Sequence, residues 1–107
     1  MVTAAGEIDL TNANSLRDTL LSTLNAGALG LVVDLTATTF IDSAGVSALV
    51  RASRRAAATE ATMRLAVTAA AVLRVLDLVG INRLIEVHPS VAEAVASLPE
   101  DRAKPLP

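Results

Sequence analysis

The chain has 107 residues, enough for one domain and too few for two. Its residues are 52% hydrophobic, but 21 are alanines, Phe40 is the only aromatic and cysteine is absent, which excludes a disulfide framework and thiolate metal sites and leaves no Trp or Tyr to stack a base or sugar. Nine basic and eleven acidic residues are spread along the chain for a net charge of -2, which argues against nucleic-acid binding, and a single histidine leaves zinc without a ligand set.

Residues 2–10 alternate, with Val2, Ala4, Ile8 and Leu10 on one parity and Thr3, Glu7 and Asp9 on the other. This predicts a half-buried strand with a bend or bulge at Gly6. Thr11 or Asn12 then caps a helix whose stripe is Ala13, Leu16, Leu20 and Leu24, widened by Leu21 and ended by Asn25 and Gly27. Gly30-Leu31-Val32-Val33-Asp34-Leu35 is an apolar run of the kind that suits a strand covered on both faces. Thr36-Ala37-Thr38-Thr39 reads as a polar loop, with Phe40-Ile41 turning back toward the core. From Ser43 a second helix carries Val46, Leu49, Val50, Ala56 and Ala57 on one side, with Ser47, Arg51, Arg54 and Arg55 on or near the other.

Met63, Leu65 and Val67 alternate in a third strand, and Val72, Val75, Leu76 and Val79 mark a third helix stopped by Gly80. Residues 84–87 predict a short strand. Ser90-Val91-Ala92-Glu93 has capping-box spacing and opens a last helix with Val91, Ala94, Val95 and Leu98 on its buried side. The element order βαβαβαβα with short connections predicts a single α/β domain over residues 1–98, its mostly parallel or mixed sheet covered by helices. The proline-rich residues 99–107 read as a flexible tail.

Chemistry concentrates at the start of the second helix. Either Asp42 or Ser43 can be its N-cap, since both side chains accept hydrogen bonds from amides one turn in. Gly45 sits awkwardly in that first turn, where glycine costs about 1 kcal/mol against alanine; its presence points to close approach of another backbone or a partner. A hydrolase is disfavoured, because Ser43 lacks the G-x-S-x-G elbow and His88, the only histidine, precedes Pro89 in a turn. No phosphate-binding loop is present, and the only lysine, Lys104, lies in the tail, so no cofactor is expected. Without a signal-like segment or a long apolar run, the chain reads as cytoplasmic with no membrane partner.

The segments Gly6-Glu7-Ile8-Asp9-Leu10 with Ala13, Val32-Val33-Asp34-Leu35, Phe40-Ile41-Asp42-Ser43-Ala44-Gly45-Val46, Arg74-Val75-Leu76-Asp77-Leu78-Val79-Gly80 and Leu84-Ile85-Glu86-Val87 resemble, in this order, the STAS family and within it the bacterial anti-sigma factor antagonists. The resemblance implies a non-enzymatic protein that binds a serine-kinase anti-sigma factor and so frees a sigma factor, until the partner phosphorylates it; a phosphatase reverses the modification. Carried onto this chain, the phosphoacceptor is Ser43. The partner-binding set is Asp42, Ser43, Ala44, Gly45, Val46 and Ser47, to which Arg51 and Arg54 are added as a basic rim for an acidic patch. The alternative within the family is a non-phosphorylated scaffold, such as a transporter-associated subunit. Two departures stand out: Ala44 replaces a second hydroxyl residue common in relatives, and the family's usual first strand is missing before residue 2. A monomer is expected, with a dimer through that open edge as the alternative.

Overall fold

The computed structural model describes residues 1–102 of the chain; residues 103–107 of the expected tail lie outside the described residues. Strands β1 (Val2–Ile8), β2 (Gly30–Ile41), β3 (Thr62–Val67) and β4 (Glu86–His88) alternate with helices α1 (Ala13–Asn25), α2 (Ser43–Ala58), α3 (Ala70–Leu78) and α4 (Val91–Ala96). Short 3-10 turns lie at Ile81–Arg83 and Glu100–Arg102. The sheet order is β1-β2-β3-β4 and every pairing is parallel.

Parallel neighbours taken in chain order, each joined by a right-handed crossover, put α1, α2 and α3 on one face of the sheet. That face holds the main core: Leu31, Val33 and Leu35 of β2 and Met63, Leu65 and Val67 of β3 meet Leu16, Leu20 and Leu24 of α1, Leu49, Ala52 and Ala56 of α2, and Val72 and Leu76 of α3. A smaller cluster on the other parity, Val32 and Ala66, is covered by Ala94 of α4 with Val91 and Leu98 beside it. The apolar run in β2 is therefore covered on both faces, as its composition implies. Arg64 pins the second face, donating to Ser97 Oγ at 3.0 Å and pairing with Glu86 at 3.1 Å.

The expected polar loop at 36–39 is instead a continuation of β2, because β1 pairs with it to the end: Ala5 faces Ala37, Gly6 faces Thr38, Glu7 faces Phe40 and Ile8 faces Ile41. Register shifts between Thr3 and Ala5 and between Gly6 and Glu7 give β2 two extra residues against β1, and at the second shift Gly6 of β1 adopts a positive φ of 71° that glycine takes without a Cβ penalty. Each extra residue exchanges the faces of the strand beyond it, so inward positions run Leu31, Val33, Leu35, then Thr38, then Ile41. Thr38 is fully buried and its hydroxyl donates to the Ala4 carbonyl at 3.0 Å. Phe40, expected to turn inward, is 44% exposed.

Other departures are local. Leu10 lies past the end of β1 and is exposed, as are Ala57 on α2, Val95 on α4 and Val79 just past the end of α3. The buried face of α2 uses Ala48 and Ala52 beside Leu49 and Ala56, with Ala57 left outside. Leu84 is also exposed, because the chain makes a 3-10 turn there and β4 begins only at Glu86. Asn12 occupies the cap position of α1 without capping it: its side chain reaches back, accepting from the Asp9 amide at 2.9 Å and donating to the Glu7 carbonyl at 2.8 Å. Gly80 ends α3 with φ 77°, the left-handed conformation expected past a helix end.

Candidate functional site

The site grows from the last residue of β2. Ile41 is fully buried, and the next residue, Asp42, has extended backbone angles that let its amide donate to the Ile8 carbonyl at 3.0 Å. The end of β1 thus fixes the start of α2. Asp42, not Ser43, is the N-cap: its Oδ1 accepts from the Ala44 amide at 2.9 Å and the Gly45 amide at 3.2 Å, while its carbonyl receives the Val46 amide at 3.0 Å.

Ser43 is the first residue of the helix and is exposed; among the described residues its hydroxyl has no hydrogen-bond partner. A serine one place earlier would have spent its oxygen on the helix amides. Because the carboxylate next door does that work, the hydroxyl stands free over the first turn.

Gly45 has an internal explanation. A Cβ there would lie 2.5 Å from Ile41 Cγ1, 2.8 Å from Ile8 Cγ2 and 3.0 Å from Ile41 Cδ1. The close approach suspected from the sequence is to the protein's own strand ends, and Gly45 is buried. Of the remaining candidate residues, Ala44 and Val46 are half-buried, and Ser47, Arg51 and Arg54 are exposed along α2. Ser43, Ser47 and Arg51 succeed one another at four-residue spacing and so share a face.

Two features were missed. Phe40 is exposed three residues before Ser43, at the same end of the sheet where Leu10 is 80% exposed; strict alternation along β2 hid its exposure, since Gly6 announces an irregularity in β1 without showing that the extra residue falls in β2. Arg17 of α1 also shares a shallow depression with Ala44, Ser47 and Arg51, a proximity between helices that spacing along one helix does not reveal.

His88 is held against Glu86 at 3.2 Å on β4, two strands away from β2, a separation of about 10 Å. Among the described residues no group of three or more His, Cys, Asp or Glu is placed to hold a metal ion, and no helix is long and apolar enough to cross a membrane.

Four parallel strands wound in one direction, with an acid-capped helix presenting a free hydroxyl at the sheet's C-terminal end, define a small α/β domain whose distinctive chemistry lies at one strand-to-helix junction. The chain belongs to the STAS domain family, which matches residues 1–94. The fold is similar to that of an anti-sigma factor antagonist from Mycobacterium paratuberculosis, with a TM-score of 0.81 and 22% identity over 89% of this chain and 80% of that one. It is similar also to the anti-sigma factor antagonist SpoIIAA in its unphosphorylated form, with a TM-score of 0.74 and 20% identity over 87% of this chain and 81% of that one. No curated protein matches the sequence.

Proposed function

We propose that this STAS domain is an anti-sigma factor antagonist: it binds a serine-kinase anti-sigma factor, frees a sigma factor, and is switched off when that partner phosphorylates Ser43. The observation that carries the reading is the division of labour at the junction. Asp42 caps the helix and leaves the Ser43 hydroxyl exposed and unbonded, as a kinase substrate requires. Two structures with the same fold are of anti-sigma factor antagonists, and one of them is of an unphosphorylated form, which supports the same role here. On this reading the domain is a binding module without catalysis of its own, it works in the cytoplasm, and a phosphatase resets it. Phe40 and the exposed face of α2 flank the serine as its contact surface.

The test is incubation of the full chain with a candidate kinase-type anti-sigma factor and ATP, followed by intact-mass measurement. Gain of one phosphoryl group by the wild type and none by Ser43→Ala is expected. A stable complex with no modification, under conditions where the kinase labels another antagonist, would refute the switch and favour the scaffold role.

A further inference from the structure

We propose that the groove between α1 and α2 is the seat of an acidic amphipathic helix belonging to the protein partner, with Arg51 and Arg54 as the pairing cations. The inference deepens the antagonist reading and rests on it for the claim that a protein partner exists.

The groove is open, holds about 710 Å³, and is lined by Leu21 and Asn25 from α1 and by Val46, Val50, the three arginines 51, 54 and 55, and Ala58 from α2. Val46 and Val50 are half-buried against the core, so the floor is apolar while the rim is charged. The span from Val46 to Ala58 is about 18 Å at 1.5 Å per residue, room for about three turns of a helix.

The charge on the rim selects the occupant. Arg17, in the adjoining depression, is occupied by Asp18 at 3.0 Å, and the Arg55 Nε donates to Asn25 Oδ1 at 2.7 Å. Arg51 and Arg54 have neither a hydrogen bond nor a counter-ion among the described residues, and no carboxylate lines the groove. This is a local excess of positive charge in a chain whose net charge is -2. A nucleic acid is a poor fit, because the groove has no aromatic side chain to stack on and the chain no broad basic surface. A small anion would leave the apolar floor exposed. A helix with one leucine-rich face and one glutamate-rich face covers the floor and neutralises both cations.

The groove also begins within one helical turn of the phosphorylation candidate. Ser43 lies one turn before Ser47, which both depressions share. A phosphoryl group there carries about -1.5 to -2 charges, the same sign as the occupant. Modification then repels the docked helix as well as crowding the junction.

The experiment is an amide chemical-shift titration of the full chain with two synthetic three-turn peptides, one alternating leucine and glutamate faces and the other with every glutamate replaced by lysine. The glutamate peptide is expected to perturb amides of α1 and α2 along the groove. Its binding should weaken about tenfold in the doubly substituted Arg51→Glu, Arg54→Glu chain, and fall again in about 0.5 M NaCl, where the screening length is near 4 Å. Equal binding of the lysine peptide or of a short single-stranded DNA, perturbations centred elsewhere, or no perturbation by the glutamate peptide would each overturn the proposal. An Arg74→Glu chain, altered at an exposed residue of α3 outside the groove, should bind the peptide as the wild type does, and because the titration needs neither kinase nor ATP, a failed kinase assay and a failed titration point to different errors.

Discussion

Replacing Gly45 with alanine separates an architectural role from a contact role at the junction. The added methyl would sit 2.5 Å from Ile41 Cγ1 and 2.8 Å from Ile8 Cγ2, where carbon atoms prefer about 3.5–4.0 Å. Neither neighbour yields easily. Ile8 and Ile41 are 2% and 0% exposed, and the clashing atoms are close to the β-branch, not at the tip of a flexible chain. Overpacking of this kind costs about 1–3 kcal/mol, against a gain of up to about 1 kcal/mol from alanine's helix propensity. The net expectation is a loss of about 1–2 kcal/mol, or a melting point lower by about 5–10 °C for a domain of this size. Thermal and urea denaturation followed by circular dichroism measures it. A double-mutant cycle with Ile41→Ala adds a second readout: the pair should cost less than the sum of its parts, by about 1 kcal/mol or more, because the smaller residue makes room. If Gly45→Ala melts at or above the wild-type temperature, the close approach is not what the glycine serves.

Ser43→Asp should keep the wild-type circular dichroism and melting point while losing at least about a hundredfold in affinity for the anti-sigma partner, about 2.7 kcal/mol, read by calorimetry; Ser43→Ala should bind and never switch off. Asp42→Ala removes both cap hydrogen bonds and should cost about 1 kcal/mol of stability, seen as a lower denaturation midpoint with an unchanged slope. The Asp9 carboxyl is held below its ordinary pKa first by the Thr11 hydroxyl and then by the Thr11 amide. Because the folded value is the lower one, its stabilising contribution is present above the unfolded pKa of about 3.9 and is lost as pH falls through the folded value. Thr11→Val should therefore lower the melting point near neutrality and flatten the acid limb, with the two melting profiles converging once the carboxyl is protonated in both states.

The parts of the fold legible in the sequence are those governed by one element's own period. The stripe Ala13, Leu16, Leu20, Leu24 is buried at every position, and so are Met63, Leu65 and Val67. What the sequence concealed depends on a neighbour. Residues 36–39 look like a loop because three threonines suit one, yet pairing with β1 makes them strand and a backbone carbonyl satisfies Thr38. Two bulges then spoil the parity that would have assigned Phe40. Ala48 and Ala52 are so small that Val46 and Val50 outweigh them in any stripe, although the close packing of α2 requires the alanines. At the junction, the composition of Asp-Ser-x-Gly showed that a cap was present but left its owner open between Asp42 and Ser43.

That choice of owner decides what phosphorylation can do. Were Ser43 the cap, a phosphoryl group on it would fold onto the Ala44 and Gly45 amides and be partly absorbed by the helix. With Asp42 already bound to both, the phosphate has the macrodipole alone, about 0.3–1 kcal/mol in its favour, and an adjacent carboxylate of comparable magnitude against it. The two nearly cancel, so the added charge neither tightens nor loosens the domain and stays presented to whatever faces Ser43. A partner surface fitted to a neutral hydroxyl must then desolvate a dianion it has no group to meet, a penalty of several kcal/mol. On the proposed function, the same side chain that stabilises the helix would keep the switch out of the fold and on the interface.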